Sequence, residues 1–259
     1  MKKRRLNKTR MRRKKLIGRG IIIIVPVMVV SLAVFGVSKL LGAIFAVSDI
    51  YATGSVYYDK EEIAEASGIK KGDNLIFLNT ESAEKKICRE LPYVESAKVI
   101  KSMPNSVKIE TQIAKPRASL VSNDEYFLIN KDFKILEKKS EQTPEIIDVA
   151  GAKFSVSEEN EIIFEDKDDK KIIEEALNSF EINSLYGLKQ LDISDKNNIT
   201  ANYAGRITIN FGGKRDFDYK ALTAHELLTK KIREEENGTL DLSKLGENNR
   251  SYFTLESKK

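Results

Sequence analysis

Two kinds of hydrophobic pattern divide this chain. From Gly20 to Ser38, 19 residues run without a charge. As a helix such a run spans about 29 Å, close to the ~30 Å hydrocarbon core of a bilayer. A second uncharged stretch, Leu40 to Val47, follows Lys39, whose ammonium can snorkel to the interface. Pro26 falls in the first two turns, where a missing N–H costs least. The stretch from residue 20 to residue 47 therefore reads as a transmembrane anchor. Ala46-Val47-Ser48 would pass as a cleavage site, but the run exceeds the roughly 7–15 apolar residues of a secretory signal, which favours a retained anchor.

Beyond Val47 the apolar positions become periodic. Ser48 to Thr53 reads as a strand. Asp59 and Glu62 have the spacing of a capping box, opening a helix that Gly68 closes. Asn79 or Thr80 caps a second helix running to Leu91 before Pro92, with Ala83, Ile87 and Leu91 on one face. Two strands then flank the turn Met103-Pro104-Asn105-Ser106. In the second, Val107, Ile109, Thr111 and Ile113 alternate with Lys108, Glu110 and Gln112, so half its side chains should face a core. Residues 48–116 thus predict a β-α-α-β-β domain with two helices over one face of a three-stranded sheet.

Residues 117–255 predict a larger, mixed β domain with two helices. Tyr126–Asn130 and Lys134–Leu136 read as an antiparallel pair, and Ile146–Val149 as a further strand. Lys153 to Lys171 is rich in charge and reads as a solvated loop with one short strand, Glu161–Phe164. Helical spacing resumes at Ile173, Leu177 and Phe180. Strands are predicted at 188–193, 199–203 and 207–211. Asp218 is placed to cap a helix reaching about Glu236, with Phe217 and Leu222 as a hydrophobic staple. Thr239 to Ser243 reads as one more strand, and Tyr252–Leu255 precedes a polar tail, residues 256–259. The fold class is α+β behind a single N-terminal membrane helix.

Charge changes the picture at the N-terminus. The chain carries 44 Lys+Arg and 39 Asp+Glu. Residues 1–47 hold 12 of the basic residues and no acidic one, leaving 32 against 39 in the remainder. The tail, residues 1–19, has 11 basic residues directly before the apolar run, so the positive-inside rule puts it in the cytoplasm and residues 48–259 outside. It is suited to touching anionic lipid, and equally to acting as a topology signal alone. The mildly acidic remainder argues against nucleic-acid binding.

Several short stretches fit one pattern: Thr53-Gly54-Ser55, Gly68-Ile69-Lys70-Lys71-Gly72-Asp73-Asn74-Leu75, Leu91-Pro92-Tyr93-Val94-Glu95-Ser96-Ala97-Lys98-Val99 and Met103-Pro104-Asn105-Ser106-Val107. In this order behind an anchor, they resemble the POTRA domain of the bacterial cell-division family FtsQ/DivIB. Where that family often has Glu-Arg-x-Pro-x-Ala, this chain has Ile113-Ala114-Lys115-Pro116-Arg117-Ala118, keeping the proline and alanine but not the charged pair. Residues 126–136 resemble its YxIDxxGxVL stretch, with Asn130 for the Asp and Phe133 for the Gly. Gly238-Thr239-Leu240-Asp241-Leu242-Ser243 echoes its closing strand. The resemblance implies a non-enzymatic single-pass scaffold at the division septum. It would bind the coiled-coil proteins FtsL and DivIC (FtsB) and coordinate septal peptidoglycan synthesis. A β domain ending in a strand has an edge, and edges recruit strands. Thr239, Leu240, Asp241, Leu242 and Ser243, with Tyr252 and Phe253, are the expected partner surface.

Catalysis finds little support. One His, one Cys and no Trp leave no Cys₄ or Cys₂His₂ zinc site, and no metal, cofactor or catalytic residue is assigned. His225 lies on the flank of a helical apolar stripe and Cys88 beside another, where both read as structural. Ser82-Ala83-Glu84-Lys85 and Ser67-Gly68-Ile69-Lys70 match S-x-x-K, but no K-T-G completes a penicillin-binding site. Asp168-Asp169 reads as part of a solvated acidic run. The alternative function is a membrane-anchored extracytoplasmic ligand sensor or wall-associated enzyme.

Overall fold

A helix that is apolar all round needs lipid or a protein interior around it. The computed structural model describes residues 26–39, 42–157, 160–245 and 250–256. It opens on such a helix, α1 (Pro26–Ile44), whose apolar residues are not buried against the rest of the described chain. The predicted tail and residues 20–25 lie outside the described residues. The chain then divides into two compact units, residues 1–86 with 97–111, and residues 87–96 with 112–259.

The smaller sheet is built as the β-α-α-β-β pattern predicts. Its elements are β1 (Asp49–Ala52), α2 (Lys60–Ala66), α3 (Thr80–Glu90), β2 (Val94–Ser102) and β3 (Ser106–Ile113). The strand order is β1-β3-β2. β1 runs parallel to β3, pairing Asp49 with Ser106 and Ala52 with Ile109. Ile63, Leu75, Val107 and Ile109 are fully buried. The alternation in β3 fades at its end, where Ile113 is 39% exposed instead of facing the core.

The α2 capping box is complete. The Glu62 N–H donates to Asp59 Oδ1 at 2.7 Å, and the Asp59 N–H donates to Glu62 Oε2 at 2.8 Å. Two of the helix's orphan donors are thereby satisfied. Asp59→Ala should cost about 1 kcal/mol of stability, read as a lower urea midpoint for the full chain. An unchanged midpoint would mean that water satisfies those donors equally well. Asn79 caps α3, accepting the Ser82 N–H at 3.1 Å.

The larger sheet has nine strands. They are β4 (Ala118–Ser122), β5 (Glu125–Ile129), β6 (Ile135–Lys139), β7 (Ile147–Ala150), β10 (Leu188–Asp192), β11 (Ile199–Tyr203), β12 (Ile207–Gly212), β13 (Gly238–Asp241) and β14 (Tyr252–Leu255). Their order is β14-β13-β12-β11-β10-β7-β4-β5-β6. β8 (Phe154–Val156) and β9 (Ile162–Phe164) form a separate hairpin. α4 (Lys167–Ile182) and α5 (Phe217–Lys230) supply Ile172, Ile173, Ala176, Phe180, Phe217, Ala221 and Leu228 to a core with Leu120, Val149, Leu191, Ile209, Phe211 and Leu240. The alternate strand positions are polar. In register across seven strands run Ser119, Asp148, Gln190, Asn202, Thr208, Thr239 and Thr254.

Several boundaries differ from those the sequence predicts. β4 was not predicted, nor was β8 within the supposed loop. α4 starts at Lys167 rather than near Ile173, because Asp166 caps it by accepting the Asp168 N–H at 2.8 Å. Asp168 and Asp169 therefore belong to a helical first turn, where the macrodipole favours acidic groups, and Asp169 is buried. α5 starts at Phe217, with Asp216 as its N-cap residue, so Asp218 does not cap it. Phe217 packs into the core while Leu222 is 43% exposed, so no staple forms. The helix stops at Lys230, and a turn follows in which Glu236 accepts from the Arg233 backbone N–H and guanidinium.

Candidate functional site: the open edge of the large sheet

The residues expected to form the partner surface separate into two kinds. Thr239, Leu240 and Asp241 lie in β13, which pairs in parallel with β12 on one side and antiparallel with β14 on the other. The expected edge at Thr239–Ser243 is thus an interior strand, with its ladder groups already engaged. Leu240 and Leu242 are buried at 1% and 0% exposure and serve the core. Thr239 and Asp241 lie half-buried on the polar face. Ser243 donates its N–H to Asp241 Oδ1 at 2.9 Å and lies so close to Gly212 that a Cβ there would meet the Ser243 Cβ at 2.8 Å.

Tyr252 and Phe253 lie in β14, the terminal strand of the sheet among the described residues. The Glu256 N–H donates to the Asn237 carbonyl at 3.0 Å. Antiparallel pairs alternate between bonded and non-bonded, so Thr254 and Thr239 form the next bonded pair. Phe253 and Leu255 therefore turn their N–H and C=O groups away from β13. Phe253 packs its ring on the core, whereas Tyr252 and Leu255 are 51% and 58% exposed. The sequence reading missed Leu255. The available signal was a β-prone Tyr-Phe-Thr-Leu run following the polar Gly-Glu-Asn-Asn-Arg stretch.

A charged cleft of about 830 Å³ in the same unit is lined by Asp168, Lys196, Lys214, Asp216 and Lys220, among others. Its charges are largely answered from within. Lys196 is ion-paired with Asp166, and with Asp169 at 2.6 Å, and these partners push its pKa up to about 12. Lys214 lies 3.8 Å from Asp168. The buried Lys220 ammonium donates to the carbonyls of Phe211 and Gly213 at 2.7 and 3.2 Å. These contacts tie the start of α4 and the β12–α5 turn to their neighbours.

The two S-x-x-K matches have structural employment. The Ser67 hydroxyl donates to the Ala64 carbonyl at the end of α2. Lys85 is bonded to Glu81 at 2.7 Å, and that hydrogen bond raises its pKa, the opposite of what an activating base requires. Cys88 is half-buried with its thiol 3.9 Å from the Glu95 carbonyl. His225 lies half-buried on α5. Among the described residues no three His, Cys, Asp or Glu side chains form a metal-ligand cluster.

Residues 45–112 match the family model for the POTRA domain, FtsQ-type. The chain is 28% identical over 209 residues to a cell division protein DivIB of Clostridium botulinum, covering 77% of this chain and 78% of that protein. It is 32% identical over 114 residues to a cell division protein FtsQ of Corynebacterium glutamicum, covering 44% of this chain and 51% of that one. Among solved structures, the major extracytoplasmic domain of DivIB from Geobacillus stearothermophilus aligns at a TM-score of 0.32 with 10% identity. That alignment covers 47% of this chain and 99% of the other.

Proposed function

Because this chain belongs to the FtsQ/DivIB family of bacterial cell-division proteins, we propose that it is a non-catalytic, single-pass membrane scaffold of the divisome. In this reading residues 1–19 lie in the cytoplasm, and two domains divided near residue 116 lie outside. The outer part captures FtsL-like and DivIC-like coiled-coil proteins and helps coordinate septal peptidoglycan synthesis. The observation that carries the reading is the outer edge of β14, unpaired among the described residues, where the outward N–H and C=O groups of Phe253 and Leu255 can accept an added strand. Tyr252, Phe253 and Leu255 are the contact residues, while Thr239 and Asp241 hold β14 from behind.

Leu255→Pro tests this directly. Proline removes the outward donor but no bond to β13, and edge strands tolerate it. The full-length variant should keep its thermal midpoint and lose co-purification of the FtsL/DivIC-type pair by at least tenfold. Capture at the unsubstituted level by the folded variant would eliminate this edge. A fluorescent label on Met1 should also mark a late, constricting band at the division site, and a uniform membrane signal through division would favour a sensor instead.

A further inference from the structure

We propose that the end of the small sheet nearest the anchor is a membrane footing, whose occupant is the lipid interface on the side of residues 45–112. The inference rests on reading α1 as a membrane span. α1 ends at Ile44 and, apart from Lys39, the anchor's uncharged run ends with Val47, so this end of the anchor meets the hydrocarbon boundary. No free linker follows it. The Phe45 carbonyl accepts the Leu75 N–H at 2.8 Å, Val47 N–H donates to the Asp73 carbonyl at 2.8 Å, and the Val47 carbonyl accepts the Gly72 N–H at 2.8 Å. The loop before α3 is therefore bound to the first residues beyond the span.

That loop carries Ile76 and Phe77, 45% and 84% exposed. They follow Leu75 by one and two residues, at most about 7 Å of extended chain. The headgroup layer is of comparable depth, roughly 5–8 Å on each side of the core, so the loop puts Phe77 within reach of it. The β2–β3 turn arrives at the same place. The Ser48 N–H donates to the Asn105 carbonyl at 2.8 Å, and the Lys101 ammonium donates to the Ile76 carbonyl at 3.0 Å. Met103, 60% exposed, sits in that turn. Exposed Lys70 and Lys71 flank the loop, where their stems can lie along apolar surface and their ammonium groups reach lipid phosphate. Of the acidic groups here, Asp73 is turned to its own loop, accepting the Lys70 N–H at 2.8 Å, and Asp49 accepts the Ser48 hydroxyl at 2.7 Å.

The far end of the sheet offers an internal control. Val56 is 85% exposed, but it follows Ala52, three strand steps or about 10 Å beyond Asp49. Full-length protein carrying Cys88→Ala is reconstituted in phosphatidylcholine–phosphatidylglycerol vesicles that contain shallow or deep nitroxide lipids. Single cysteines at Ile76→Cys, Val56→Cys and Val34→Cys carry an environment-sensitive fluorophore. The label at 76 should be quenched at least twofold more by the shallow nitroxide than by the deep one, and adding Phe77→Ser should cut that quenching at least twofold. The label at 34 should respond most to the deep nitroxide, and the label at 56 to neither. Quenching at 34 without quenching at 76 overturns the footing and leaves the anchor. Equal quenching at 76 and 56 overturns it as well, since the unit would then lie on the membrane without a preferred end. No quenching at 34 removes the anchor reading, and the footing with it.

Discussion

Phe211→Ala is expected to destabilise the larger unit by about 3–5 kcal/mol, the cost of deleting a buried aromatic side chain and leaving its cavity. Phe211 is fully buried on β12. Its ring stacks on Phe217 of α5 at 4.9 Å between centroids and lies 5.6 Å from Phe180 of α4. This trio joins the sheet to both of its helices, and aromatic pairs contribute roughly 0.5–1.5 kcal/mol beyond their buried area. Whole domains are stable by only about 5–15 kcal/mol, so the loss should be visible as a large drop in the urea midpoint of the full chain in detergent. Phe211→Leu keeps most of the volume and should cost clearly less. A loss below about 1 kcal/mol for the alanine variant would show that the helices do not depend on the trio.

Asp148→Asn should do the reverse and stabilise the protein at neutral pH. Asp148 lies on β7 at 5% exposure, in register with Ser119 of β4 and Gln190 of β10. Gln142 hydrogen-bonds to its carboxyl group, yet Asp148 Oδ1 and Ser119 Oγ are buried with no hydrogen-bond partner among the described residues. Burial pushes its pKa up from 3.8 to about 6, and the Gln142 bond opposes the rise only in part. A carboxyl with a raised folded-state pKa binds its proton more tightly when folded. Its stabilisation is therefore complete below pH ~4 and is lost as pH rises through about 6. The total change is on the order of 2–3 kcal/mol, from a shift of about two units at roughly 1.4 kcal/mol each. Asparagine stays neutral throughout. Its unfolding free energy should be flatter between pH 4 and 6.5, and higher than that of the unsubstituted protein at pH 7.5. A less stable Asp148→Asn at pH 7.5 would mean that the folded protein solvates the carboxylate well there.

What the sequence shows depends on how local each signal is. The α2 capping box is legible because Asp59 and Glu62 are three residues apart, and β3 because Val107 and Ile109 alternate with charges. β4 escapes because Ala-Ser-Leu-Val-Ser is short and offers only one large apolar pair. Its hairpin with β5 was nonetheless announced by Asn123-Asp124, two residues at φ of 51° and 61°, the left-handed pair that tight hairpins favour. The start of α4 is hidden because Asp166, Asp168 and Asp169 look like a solvated run until tertiary contacts with Lys196 and Lys214 give them partners. The candidate site is the least local feature. That β13 is interior follows only from the docking of β14, which returns after a ten-residue excursion from Asp241 to Tyr252 to cover it. A strand read in isolation carries no record of what pairs with its outer side.

The seven-residue polar row also constrains anything that extends the sheet. The row ends at Thr254, while Phe253 beside it keeps the core side, and a pleated sheet alternates its faces residue by residue. An incoming strand would therefore need an apolar side chain beside Phe253, polar ones on either side of it, and a second apolar residue two positions on, beside Leu255. A one-residue slip would put its apolar side chains among the threonines. That alternation is a short grammar by which segments of candidate division proteins can be ranked before any of them is purified.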